Sequence, residues 1–424
     1  FAACDPMLSP PDPSPAPWQG IEDTVNWDIV VHNSSADTVY AVTTDPDGNV
    51  YVVGRGRYLS STLGHYEWWL KKYDAAGREI RAGWDKQLYF SGTLNDTPTA
   101  VAIDGEGNVV VGGYYTDSHN LPHCVVRKYN PDGTELLAVN LSSYQLLLAD
   151  MAIGDDGAIY LAGSTLSVPT AGIFLKLNAA GEEVWSKTIS VNGVNRNIQA
   201  TALALDGAGN VVIGGYGIDL VGDPSGYDSW FQVYSPDGML LREVRFSARI
   251  ASFDPTSCYT NDRLYDITVD ADGNIYTVGC GYGIALVVTQ IDEHTSAATA
   301  CDCDAGWLNK FSPTGQRLDQ KVFLTRDGND VEFRSIVPDG RGGVFISGRD
   351  CAANNASGRF WIIRRLDGEL NEIWGANFEV NQGASTVVGE GLALDRSGAL
   401  FAISNAHDIH SADSGLDWWI KKFY

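Results

Sequence analysis

The chain lacks the marks of most chemistry-bearing proteins. No apolar run approaches the ~18–20 residues that span a bilayer. The longest, around 284–291, is only strand-sized, so no transmembrane segment is expected. A G-x-S-x-G elbow, a P-loop, an H-E-x-x-H pair and a dinucleotide-binding glycine fingerprint are all missing, which leaves the corresponding chemistries without an anchor. No two cysteines have CxxC spacing, removing the usual zinc, dithiol and c-type haem signatures. Positive charge is scarce as well. Against 53 Asp and Glu stand 29 Lys and Arg, a formal net charge of −24. Such a surface repels phosphate backbones and anionic headgroups, which excludes nucleic acid as a partner.

What is abundant is turn and strand. The 424 residues include 46 glycines and 16 prolines with 44% hydrophobic content, the profile of a turn-rich all-β protein. One stretch, Asp45-Pro-Asp-Gly-Asn-Val-Tyr-Val-Val-Gly54, recurs at Asp104, Asp155, Asp206, Asp270, Asp339 and Asp395. Its turn glycines are Gly48, Gly107, Gly157, Gly209, Gly273, Gly342 and Gly398. Their spacing runs from 50 residues (Gly107 to Gly157) to 69 (Gly273 to Gly342). A repeat of that size, built on strands and turns, predicts a propeller rather than a helical solenoid.

Each repeat reads as four strands. In the first, Val39–Thr44 and Val50–Gly54 flank the Asp45–Gly48 turn. A polar excursion then leads to Trp68–Tyr73, a second tight turn at 74–77 and a last strand containing Trp84. The seventh repeat stops at Trp418-Trp-Ile-Lys-Lys-Phe-Tyr424, one strand short. Val25-Asn-Trp27-Asp28 matches the Trp84-Asp85 strand of the first repeat. The expected fold is therefore all-β: a seven-bladed β-propeller of four-stranded blades over 21–424, closed by an N-terminal strand at 24–31 that completes the last blade. Closure also avoids two unpaired sheet edges. Residues 1–20 carry six prolines after Phe1-Ala-Ala-Cys4 and read as an extended tether.

The pattern D-x-x-G-N-h-Y-h-h-G, followed by G-x-D-x-W-h-x-K-h, resembles the bacterial SBBP-type propeller repeat, a relative of the delta-60 repeat. Gly226-Tyr-Asp228-Ser-Trp230 and Gly415-Leu-Asp417-Trp-Trp419 carry its centre. The resemblance covers about 24–424 and implies a secreted or surface-attached propeller without fixing a function. The fifth repeat departs from it through a long insertion, and the sixth lacks the Asn after its turn glycine.

In a four-stranded blade both tight hairpins lie on one face, and the second-to-third loops lie on the other with the inter-blade links. Variable loops on a rigid scaffold are where function is expected. Cys258, Cys280, Cys301, Cys303 and Cys351 gather on the loop face of the fifth and sixth repeats. They are candidates for disulfides in an exported, oxidising location, whether extracellular, surface or periplasmic. Cys4 is a candidate lipid-acceptor, with ordinary signal cleavage as the alternative. Cys124 reads as a buried free thiol. Tyr227, Tyr259, Tyr282 and Trp307 are the candidate ligand contacts. His407 and His410 are candidate metal ligands. Asp45 and Asp270 are candidate sites for structural Ca2+, with a hairpin turn as the alternative account of the acidic residues. The reading that follows is a non-catalytic module binding a protein or a surface glycan, with a place in a larger envelope complex or filament as a variant. Its alternative is a metal-dependent lyase or hydrolase working at the loop face.

Overall fold

The computed structural model describes residues 27–32, 36–57, 59, 65–90, 95–194, 197–221, 226–247, 261–282, 286–292, 295–300, 304–323, 331–351, 359–379, 387–407 and 415–423. The described chain is all-β. Its one helical turn is a 3-10 segment, Ser142–Tyr144.

Asp-x-x-Gly turns set the strand pairing. In the first repeat Gly48, at φ +78°, donates its N–H to the Asp45 carbonyl and reverses the chain between Thr38–Thr44 and Val50–Arg57. All seven turn glycines have positive φ, between +74° at Gly157 and +91° at Gly342, where a Cβ would be strained. Strands after the turns are apolar on both faces. Val50–Arg57 begins with five consecutive buried residues, because each sheet is covered on both sides by its neighbours.

Five repeats form separate four-stranded sheets, against the seven expected. The first two repeats instead run together as one sheet of eight strands. Third strand Tyr66–Tyr73 of the first repeat meets inner strand Asn95–Ile103 of the second through one parallel bridge, Tyr66↔Asn95. The fourth strand of the first repeat is short, Lys86–Leu88, and leaves that bridge uncovered. An extra hairpin, Leu286–Asp292 with Thr295–Ala300, fills the insertion of the fifth repeat.

Strand Trp27–Val31 pairs antiparallel with Leu416–Phe423, Trp27 facing Lys422 and Val31 facing Trp418. The inner strands of consecutive repeats pack on one another in chain order, and Val387–Leu394 packs back on Thr38–Thr44. The apolar core is divided in the same way. One cluster joins Val110 and Cys124 of the second repeat to Leu161 and Leu175 of the third. Another joins Phe401 and Trp418 of the last repeat to Val39 and Val52 of the first. Trp68, Trp84, Trp230, Trp307, Trp361 and Trp418 are fully buried in such junctions, where their area contributes most.

Candidate functional site

Every inner strand carries a bulge near its loop-face end. Pairing slips between Val39 and Ala41, and at the equivalent places in the six other repeats. The residues skipped are Tyr40, Thr99, Ala149, Thr201, Tyr265, Arg334 and Glu390. Each is half-buried while the residue before it is buried, so the bulge takes it out of the apolar layers. On the second strands, Arg55, Tyr114, Tyr216, Cys280, Arg349 and Asn405 occupy the matching level, just beyond the small residue that ends the apolar run.

These positions form a belt of guanidinium groups and tyrosine rings. Arg55 lies 4.2 Å from the Tyr66 ring centroid and 5.6 Å from that of Tyr40, and donates to Thr97 Oγ1 of the second repeat at 3.1 Å. Arg263 of the fifth repeat reaches back over Tyr227 at 5.2 Å and Tyr216 at 5.9 Å. Arg334 of the sixth covers Tyr265 of the fifth at 5.0 Å. Glu332 bridges Arg334 (2.7 Å) and Arg349 (2.6 Å). Glu390 accepts from Asn405 Nδ2 at 3.2 Å, and its carboxyl is held above the usual range by burial, with Arg334 opposing. Burial likewise pushes the Tyr40 and Tyr265 hydroxyls up. Arg55 and Arg263 make no ion pair among the described residues, and each has a buried Nε without a hydrogen-bond partner there. Four guanidiniums thus face two carboxylates in a chain of net charge −24.

Tyr227 belongs to this belt: it packs edge-on to Tyr216 at 5.3 Å beneath Arg263. Trp307 does not. It is fully buried against Phe246, with centroids 5.8 Å apart, and has no surface left for a ligand. Tyr282 ends strand Ile275–Tyr282, opposite Asn261. Tyr259, Cys4, Cys258, Cys301, Cys303 and His410 lie outside the described residues. Cys351 and His407 end their strands, and their side chains are likewise outside the description. Cys280 is buried with its Sγ 3.7 Å from the Tyr265 hydroxyl. Cys124 is a free, fully buried thiol pushed up to about 12 by desolvation.

The Asp45 and Asp270 carboxylates are occupied by the turns. Asp45 Oδ1 accepts from the Asp47 and Asn49 amides (3.0 and 2.9 Å), and Oδ2 from Asn49 Nδ2 and the Tyr51 hydroxyl (2.7 and 3.0 Å). Asp270 repeats the arrangement with Asp272, Asn274 and Tyr276. A cation needs those lone pairs, and the positive ends of N–H and O–H groups already point at them, which argues against Ca2+ at either turn. Among the described residues no group of three or more His, Cys, Asp and Glu gathers to hold a metal. In the second repeat Asp117 is approached by two histidines, His119 at 3.9 Å and His123 more closely. His123 Nε2 lies 3.0 Å from Asp117 Oδ2, and its ring stacks on Tyr115 at 4.8 Å. That bond and the Leu121 and His119 amides hold the Asp117 carboxyl down at about 2.

Arg55, Arg263 and Arg334 are absent from the sequence candidates. The signal for one of them, Arg55, was the recurrent slot after the strand-ending small residue, where Gly54-Arg55, Gly215-Tyr216 and Gly348-Arg349 place large polar groups.

No protein-family model and no curated protein matches the chain in sequence. Solved structures do match in shape. A polysaccharide lyase, an ulvan lyase bound to -[GlcA(1-4)Rha3S]-, superposes with a TM-score of 0.52 at 10% identity, over 92% of this chain and 95% of that one. A second polysaccharide lyase gives 0.51 at 10% identity, over 92% and 89%. Raptor from Chaetomium thermophilum gives 0.51 at 12% identity, over 93% of this chain and 28% of Raptor. The chain is an all-β propeller. At such identities the likeness carries the fold alone, which hosts enzymes and binding scaffolds alike.

Proposed function

We propose that the protein is a non-catalytic binding and assembly module, a seven-bladed ring that offers the belt end of its axis to a protein or glycan partner. Seven blades follow if the eight-stranded sheet is divided at its single Tyr66↔Asn95 bridge. The cyclic packing of the inner strands and the pairing of Trp27–Val31 with the last strand support a closed ring. The carrying observation for function is the belt itself: planar cations and aromatic rings collected at one end of a rigid scaffold whose other side chains pack or turn. Arginine and tyrosine are the residues that recognition surfaces favour. On this reading the chain works outside the cytoplasm, as its resemblance to SBBP-type repeats implies. Cys4 serves anchoring, and Cys258, Cys301, Cys303 and Cys351 serve stapling. Cys280, expected among them, is instead buried outside any disulfide, with its Sγ near the Tyr265 hydroxyl.

The His123–Asp117 pair favours a second reading, a lyase or hydrolase using loop-face groups. One experiment separates the two. Exhaustively dialysed protein is incubated with acidic and neutral polysaccharides, following both retention on immobilised protein and chain length. Retention without shortening supports the module. Shortening that is lost in His123→Ala supports the enzyme.

A further inference from the structure

We infer that the belt is a binding site for a carboxylate- or sulfate-bearing glycan, an inference that rests on the module reading and gives its ligand class. Arg55 and Arg263 carry it. Both are held against tyrosine rings, Arg263 also by a side-chain hydrogen bond with Tyr265, and neither is paired with a carboxylate among the described residues, unlike Arg334 and Arg349. A guanidinium whose charge is not spent on a protein carboxylate keeps it for an anionic ligand. Arginine presents parallel donors that match carboxylate and sulfate oxygens.

The neighbouring carboxylates leave this capacity intact. Glu332 is spent on Arg334 and Arg349, and Glu390 takes a bond from Asn405. Asp262 precedes Arg263 in the inner strand and so projects to the opposite side, where it bonds Ser247 at 2.5 Å. The net charge of −24 works against loose coating by any polyanion, so an anion that binds must do so at a local site.

A sugar fits better than an acidic peptide. Peptides that line up along strands add backbone hydrogen bonds to an open edge, but each inner strand is interrupted here by a bulge. What the belt offers instead is side-chain planes and hydroxyls, suited to the faces and substituents of pyranose rings.

The test is calorimetric titration of the intact protein with three probes: an oligoglucuronate, a heparin-derived oligosaccharide and a neutral dextran oligosaccharide. Arg55→Gln and Arg263→Gln strand no carboxylate, and thermal unfolding checks that both remain folded. Arg78→Gln, on the opposite, turn-bearing face, is the control. The expected result is binding of one or both acidic probes, at least tenfold tighter than dextran and roughly tenfold weaker in either belt variant. The control should bind as wild type. Whichever acidic probe binds more tightly identifies carboxylate or sulfate as the recognised group. Equal binding of dextran, or unchanged binding in both belt variants, overturns the inference. So does equal loss in Arg78→Gln. A protein partner cross-linked to the belt, with no acidic probe bound, overturns this ligand class while leaving the module reading standing.

Discussion

Asp28, at the start of the described chain, forms an ion pair with Lys421 at its end, 2.5 Å between Oδ2 and Nζ, and its other oxygen accepts from Trp419 Nε1. The same device occurs inside the first repeat. There Asp85 accepts from Trp69 Nε1 at 3.1 Å and lies 3.5 Å from Lys71. The N-terminal strand thus reproduces, across 393 positions, a contact that the first repeat makes with its own neighbouring strand.

The two copies differ in what remains if the aspartate is neutralised. Lys71 also pairs with Glu79, whereas Asp28 is the one ion-pair partner of Lys421 among the described residues, and Lys421 is 3% exposed. Asp28→Asn should therefore cost roughly 1–2 kcal/mol, discounted because Asp28 is itself half-exposed, and Asp85→Asn should cost less. Urea denaturation of both variants checks the order. An equal or reversed order would mean that the N-terminal strand contributes little to stability.

A glycine contrast probes the same junction. A Cβ at Gly54 would overlap the Thr38 carbonyl and the Trp418 indole, whereas a Cβ at Gly105 would meet nothing within 4 Å. Gly54→Ala should destabilise by about 1–3 kcal/mol through overpacking. Gly105→Ala should be neutral or stabilise by up to ~1 kcal/mol by restricting the unfolded chain. Differential scanning calorimetry of the pair decides it.

Much of the fold was legible because repetition tests itself. The turn glycines take positive φ where the alignment placed them, and Trp27-Asp28 meets the last strand as Trp84-Asp85 suggested. The fusion of two repeats into one sheet was not legible, since it hangs on where Asn95 lands beside Tyr66 after a variable loop. The belt was hidden for a different reason. One extra residue in a strand reverses the face of everything beyond it, so strict alternation assigns Tyr40, Tyr265 and Arg334 to the wrong side. Tyr227, picked out for its place off the packing pattern, packs against Tyr216 and Arg263. Trp307, by contrast, follows that pattern and is core.

The turn carboxylates give a third prediction. Asp45 holds two amides, the Asn49 side chain and the Tyr51 hydroxyl, and is 8% exposed. Asp45→Ala should cost roughly 1–3 kcal/mol, because the buried Tyr51 hydroxyl and the half-buried Asn49 groups lose their acceptor. Adding millimolar Ca2+ or a chelator to wild type should leave the melting temperature unchanged. A calcium-dependent rise abolished by Asp45→Ala would restore the cation reading.

The last prediction concerns Asp150 and Asp266, which follow the bulges of the third and fifth inner strands. Each reaches into the next repeat: Asp150 Oδ2 accepts from the Leu203 amide and Asp266 Oδ2 from the Ile336 amide, both at 2.8 Å. In the sixth repeat Ser335 Oγ makes the equivalent bond to the Leu392 amide at 3.1 Å. Desolvation pushes the Asp150 carboxyl up to about 6. It pushes Asp266 up to about 8, with the Asp150 charge adding to the shift. Both folded values lie above the ordinary 3.8, so between those limits the native state holds protons that the unfolded chain releases. Their contribution to stability is complete below pH ~4 and is lost as pH rises through about 6 and about 8. Asp266→Ser keeps an acceptor for Ile336 and removes the titration. It should match wild type near pH 4 and exceed it by roughly 1–3 kcal/mol near pH 8. Guanidinium unfolding of both proteins across that range measures the difference, and a constant gap at every pH would show that the carboxyl does not titrate in the folded protein.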